Sequence, residues 1–139
     1  MKRTASAVWQ GNLKAGKGSL TTQSGVLKDT PYSFNSRFGA EAATNPEELI
    51  AVAHAGCFTM ALSLMLGNAG LTADRLETKA TVTLDEAKLA ITAIHLELTA
   101  KVPGVDAAKF DSIAQDAKKN CPVSKVLNAD ITLTAHLTS

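Results

Sequence analysis

Aromatic residues are scarce in this 139-residue chain, which has four Phe, one Tyr and one Trp. Proteins that bind single-stranded nucleic acid stack bases on aromatic rings, and this chain has few to offer. An excess of one charge is missing too. Lys and Arg number 14 against 13 Asp and Glu, for a formal net charge of +1. No basic stripe calls for nucleic acid, and no acidic tail calls for cations. The opening MKRTASAVWQ has charges but no apolar run of signal length after them, so no leader is expected. Cysteine is nearly absent, represented by Cys57 and Cys121 alone. Two cysteines without a leader argue for a reducing, cytoplasmic setting. There a redox or metal role is favoured over a structural disulfide. The length suits one domain over residues 1–139.

One stretch runs against this modest composition. Leu49 to Leu66 holds 18 residues with no fixed charge. That is near the lower length limit of about 17 residues for a spanning helix. Its flanks are Glu47 and Glu48 on one side and Asn68 and Asp74 on the other, without a nearby Lys or Arg anchor. His54, Thr59 and Ser63 lie inside it. A helix apolar on all sides is then a buried helix, and no membrane is expected. Its start is well marked by Asn45 as the cap, Pro46 as the first helical residue and Glu47 and Glu48 in the first turn. Gly67-Asn68-Ala69-Gly70 stops it.

Around it the periodicity is that of strands. Residues 6–13 and 19–24 form a hairpin across a glycine-containing turn, and Tyr32 to Phe38 reads as a third strand. Leu76 to Asp85 alternates apolar with polar residues and pairs with a strand from Lys88 to Val102. The apolar phase of that partner slips by one residue, which predicts a bulge around Thr92 to Ile94. A helix capped by Asp106 carries Phe110, Ile113, Ala114 and Ala117 and ends at Lys118 and Lys119. A short turn over 122–127 and a last strand over 131–137 complete the chain. Antiparallel sheets beside helices make the class α+β. A small half-exposed sheet covers about one side of the apolar helix, so a second copy of the chain is expected to cover the rest.

The two cysteines differ in setting. Cys57 lies about three turns into the apolar helix, where free cysteine is common as a small buried hydrophobe. Cys121 precedes Pro122 at an expected helix start, near unpaired N–H groups that favour thiolate. His54 lies one turn before Cys57 and shares its helix face. Cys57 with His54 could be a nucleophilic pair, and His54, Cys57, Cys121 and Glu47 could hold zinc. A histidine satisfied inside the helix cluster is the simpler reading. His95 and His136 fall at outward strand positions, and Arg37 sits among uncharged neighbours in FNSRF.

Three segments together, YSFNSRF, TNPEELIAVAHAGCFTMAL and CPVSKVL, resemble the OsmC/Ohr family, and most closely its osmotically inducible protein C branch. The resemblance runs nearly the whole chain. It implies a thiol-dependent peroxidase acting on organic hydroperoxides and hydrogen peroxide, without a cofactor or metal. It also implies an intertwined homodimer with antiparallel sheets wrapped around two long central helices. By position, Cys57 is then the peroxidatic cysteine, Cys121 the resolving cysteine, Arg37 the arginine of the site and Glu47 its glutamate. An external dithiol would return the disulfide to thiols. Phe38, Phe58 and Met60 would provide apolar walls for the tail of the peroxide. Peroxide reduction needs a thiolate, and an apolar helix raises a thiol's pKa, so a cation such as Arg37 is required. Glu47 would orient that cation.

Glu47 and Cys57 are ten residues apart, about 15 Å along a helix and roughly 80° around it. A glutamate cannot span that distance. Glu47 is therefore expected to serve the partner subunit's cysteine, in sites shared across the dimer, unless the helix breaks near Gly56. Two other readings compete with the peroxidase. One is a non-enzymatic dimeric stress or ligand-binding protein with structural cysteines, and the other is a zinc protein.

Overall fold

The computed structural model describes all 139 residues, and they divide into two compact units, Met1–Leu49 and Ile50–Ser139. In the first unit, β1 (Ala5–Gln10) pairs antiparallel with β2 (Lys17–Thr22), and β2 with β3 (Thr30–Tyr32). Gly18 faces the rings of Trp9 and Tyr32, where a Cβ would collide with both. Its bare Cα lets those rings close to 5.4 Å between centroids.

The expected third strand, Tyr32 to Phe38, stops at Tyr32, and α1 (Phe34–Phe38) follows. Ser33 and Ser36 form a reciprocal capping box: Ser33 Oγ accepts from the Ser36 amide, and Ser36 Oγ accepts from the Ser33 amide. Phe34 and Phe38, four residues apart, then stack on one helix face at 4.9 Å. Arg37 thus sits on a helix rather than at a strand end.

Helix α2 (Pro46–Asn68) begins where its signals place it, with Asn45 Oδ1 accepting from the Glu48 amide at 2.9 Å. It runs unbroken past Gly56. By length and composition it could cross a membrane, yet His54, Phe58, Leu62 and Leu66 are buried in the protein's own core. The rest of α2 is less covered, and Val52, Met60 and Leu64 are exposed.

In the second unit, β4 (Arg75–Asp85) pairs antiparallel with β5 (Ala90–Lys101). Thr83 faces Ala93 while Leu84 faces Ile91, so Thr92 is the extra residue of the expected bulge. Helices α3 (Ala107–Asn120) and α4 (Pro122–Val126) then carry the chain back to the starting end of β5. For that reason β6 (Asp130–Thr138) pairs with β5 in parallel, and the all-antiparallel expectation is corrected for this pair. Alternate residues of β5, namely Ile94, Leu96, Leu98 and Ala100, face the core. There they join Phe58, Leu62 and Leu66 of α2 with Phe110, Ala114 and Ala117 of α3.

Candidate active site

Two groups of side chains come together, one in each unit. In the first, Arg37 of α1 meets Glu47 in the opening turn of α2. Arg37 Nη2 donates to Glu47 Oε1 at 2.7 Å, and Nε reaches both carboxylate oxygens at 3.2 and 3.3 Å. Backbone and side chains hold this arrangement. Ser36 Oγ donates to the Thr44 carbonyl at 2.9 Å, and Asn45 Nδ2 donates to the Ser36 carbonyl at 3.2 Å. The guanidinium carbon lies 5.3 Å above the Phe38 ring. With Nε and Nη2 engaged, Nη1 has no partner in the chain and is free to donate.

The second group is built on α2 and the junction of α3 with α4. The Cys121 and Cys57 thiols share a hydrogen bond, their sulfurs 3.0 Å apart. Both thiols are free, and a disulfide would bring the sulfurs to about 2.05 Å, a further approach of roughly 1 Å. Their settings are the reverse of the sequence expectation. Cys121 is fully buried, as the residue that ends α3 and begins α4, whereas Cys57 is half-buried. Burial pushes the Cys57 thiol up from its ordinary value, and the Cys121 thiol adds to this. The backbone N–H of Val123, in the first turn of α4, lies on the Cys57 side and opposes the rise.

A hollow of about 810 Å³ opens at Cys57, lined by Met60, Ala61, Leu64, Met65, Asn120 and Pro122. Cys57, Met60, Ala61, Leu64 and Met65 recur at helical spacing on one face of α2, a signal readable in the sequence beyond Met60 alone. Phe58 points the other way. It is fully buried in the core, so its expected place as a substrate wall is corrected: one residue on from Cys57, a helix turns the side chain about 100°. Phe38 belongs to the first unit, stacked between Phe34 and Arg37. His54 is fully buried, with Nε2 2.7 Å from Ser124 Oγ and Nδ1 without a partner. No three His, Cys, Asp or Glu side chains converge to hold a metal, so the zinc reading finds no site.

The OsmC-like protein family matches residues 39–136. Peroxiredoxin OsmC of Escherichia coli is 56% identical over 135 residues, covering 96% of this chain and 94% of that one. The chain belongs to the OsmC-like family. The organic hydroperoxide resistance protein OhrB of Bacillus subtilis superposes with a TM-score of 0.65 at 28% identity, covering 97% and 98% of the two chains. An OsmC-like protein from Mycoplasma pneumoniae shares the fold at a TM-score of 0.77 and 14% identity, over 100% and 99%. The OsmC-like match takes in Glu47, both cysteines and His54, while Arg37 stands two residues outside it.

Proposed function

We propose that this OsmC-like protein is a thiol-dependent peroxidase that reduces organic hydroperoxides and hydrogen peroxide through Cys57 and Cys121. The observation that carries the reading is the 3.0 Å approach of two free thiols in unlike settings, one half-exposed at an apolar hollow and one buried. The names of its relatives, a peroxiredoxin and an organic hydroperoxide resistance protein, support it. Cys57 thiolate attacks the distal oxygen of the hydroperoxide. The O–O bond breaks, the alcohol or water leaves, and Cys57 becomes a sulfenic acid. Cys121 then displaces the hydroxyl as water and a Cys57–Cys121 disulfide forms. An external dithiol restores both thiols by exchange. The hollow around Met60, Leu64 and Met65 suits an alkyl tail.

The thiolate needs a cation to offset burial, and Arg37, oriented by Glu47, is that cation. Because α2 is continuous from Pro46 to Asn68, Glu47 stays about 15 Å along its axis from the Cys57 of its own chain. The pair therefore acts on the partner subunit's site, in a homodimer that covers Val52, Met60 and Leu64. We place the protein in the cytoplasm, away from membranes and nucleic acid. Adding one equivalent of cumene hydroperoxide to reduced protein removes two thiols and yields an intramolecular Cys57–Cys121 disulfide by mass spectrometry. Survival of both thiols in excess hydroperoxide would leave the non-enzymatic stress or ligand-binding protein as the better reading.

A further inference from the structure

We propose that His54 is a positioning residue for disulfide formation: through its bond to Ser124 it pins α4 against α2 and so holds Cys121 within reach of the oxidised Cys57. The inference rests on the two-thiol reading above and concerns a pair of residues that the first chemical step does not use.

Two polar contacts tie the start of α4 to two successive turns of α2. Cys121 Sγ meets Cys57 Sγ at 3.0 Å, and Ser124 Oγ lies 2.7 Å from His54 Nε2. The first involves the sulfur that reacts. When Cys57 acquires an oxygen, its contact with Cys121 must rearrange. The His54–Ser124 bond lies one turn away and contains neither reacting atom, so it can persist through the step. It is then the polar tie that keeps α4 in place while the sulfurs close the remaining gap.

The chemistry of His54 supports a role for this bond. The imidazole is fully buried, has no ionic partner, and leaves Nδ1 without a hydrogen bond. An apolar ring at this position would avoid that unsatisfied atom. What the imidazole provides that an apolar ring cannot is the bond to Ser124. Helix α4 has only five residues, and the Cys121 side chain accepts no capping hydrogen bond from its first-turn amides. Little else of polar character fixes its approach to α2.

Disulfide formation competes with overoxidation. In the first route, Cys57–SOH and Cys121–SH give Cys57–S–S–Cys121 and water. In the second, Cys57–SOH and another hydroperoxide give Cys57–SO₂H and the alcohol. Loosening α4 slows the first route and leaves the second untouched, so the partition between them reads the position of Cys121.

The test uses full-length Ser124→Ala, His54→Phe and His54→Gln proteins, reduced and mixed with cumene hydroperoxide at several concentrations. Rapid quench and mass spectrometry give the rate of Cys57 oxidation and the ratio of sulfinic acid to disulfide. Ser124→Ala and His54→Phe are expected to raise that ratio roughly fivefold to tenfold, the rate equivalent of one hydrogen bond. Their rate of Cys57 oxidation should change far less than that ratio, since neither Ser124 nor His54 touches the reacting sulfur. His54→Gln, which retains a polar reach toward Ser124, should restore the ratio in part. A purely structural histidine would change the melting temperature and leave the ratio alone. Ser124→Ala removes a single half-buried oxygen, so it keeps the test open if His54→Phe fails to fold. An unchanged ratio in Ser124→Ala overturns the proposal. An unmodified protein that forms no Cys57–Cys121 disulfide overturns the two-thiol reading itself.

Discussion

The two units of the chain are built on different terms. All twelve buried hydrophobic residues lie beyond Leu49, in Ile50–Ser139, around α2, β5 and α3. The first unit, Met1–Leu49, contributes none of them, and its β1 strand is exposed at five of six positions. The second unit has a core of the ordinary kind, whereas the first is a three-stranded sheet without one. A sheet of that size needs an apolar face covered to be stable. The chemistry divides along the same line, with the Arg37–Glu47 ion pair in the first unit and the thiols in the second. In this chain the unit poorer in burial carries the Arg37–Glu47 ion pair and the unit richer in burial carries the two thiols. In the homodimer proposed above, a second copy of the chain would meet both needs, covering the sheet and supplying the cation.

The largest expected effects test that division of labour. Cys57→Ser should lose all hydroperoxide turnover. Arg37→Ala should lower kcat/KM by about 10²–10³-fold, as for the loss of one preorganised donor at a developing charge. Arg37→Lys should recover part of that loss, because it restores charge without the planar fork. If Arg37→Ala turns over at the unmodified rate, the first unit has no part in the chemistry.

A subtler effect tests whether the two units work in one chain or across two. Cys57→Ser and Glu47→Ala proteins, each of low activity, should regain activity after subunit exchange. Random pairing makes half the dimers mixed, each with one intact site, so recovery should approach about a quarter of the unmodified activity. Exchange shown by mass spectrometry without recovery would place Glu47 and Cys57 in one subunit's site, or remove Glu47 from it.

The smallest effect concerns the second unit alone. Burial holds the His54 imidazole below its ordinary value near 6.5 and holds the Cys57 thiol above its own near 9.0. The unfolded chain therefore binds the histidine proton more readily, and the His54 contribution to stability, present above about pH 6.5, is lost as pH falls. For Cys57 the folded form keeps its proton longer. Its contribution is present below about pH 9 and is lost as pH rises through the folded-state value. Denaturant midpoints of the reduced protein should fall on both the acid and the alkaline side. His54→Gln should flatten the acid arm and Cys57→Ser the alkaline one. Arms unchanged by these substitutions would show that other groups set them.

Much of the second unit was legible before any coordinates. The Asn45-Pro46 start of α2, its end at Asn68, the Asp106 cap of α3 and the extra residue at Thr92 all follow from local signals. The reading of Tyr32 to Phe38 as a strand failed, because Phe34 and Phe38 fit an i,i+4 helical pair. The Ser33–Ser36 capping box, a weaker signal than the usual serine with glutamate, settles that choice toward helix. Ser124 and the Val123 amide were not legible as neighbours of α2, since nothing local to either marks a contact some 70 residues away.

By itself, then, the sequence determined the elements with strong local signals and the chemistry available: two thiols, one well-placed arginine, a capped apolar helix and the motifs of the OsmC-like family. Caps, prolines and periodicity act over a few residues, and their energetics are local. Only the tertiary structure decided that β6 runs parallel to β5, that Phe58 faces the core while Cys57 faces the hollow, and that Cys121 is the more buried thiol. Those outcomes depend on which elements pack together, because burial and a 3.0 Å sulfur contact are properties of pairs of segments brought together by folding.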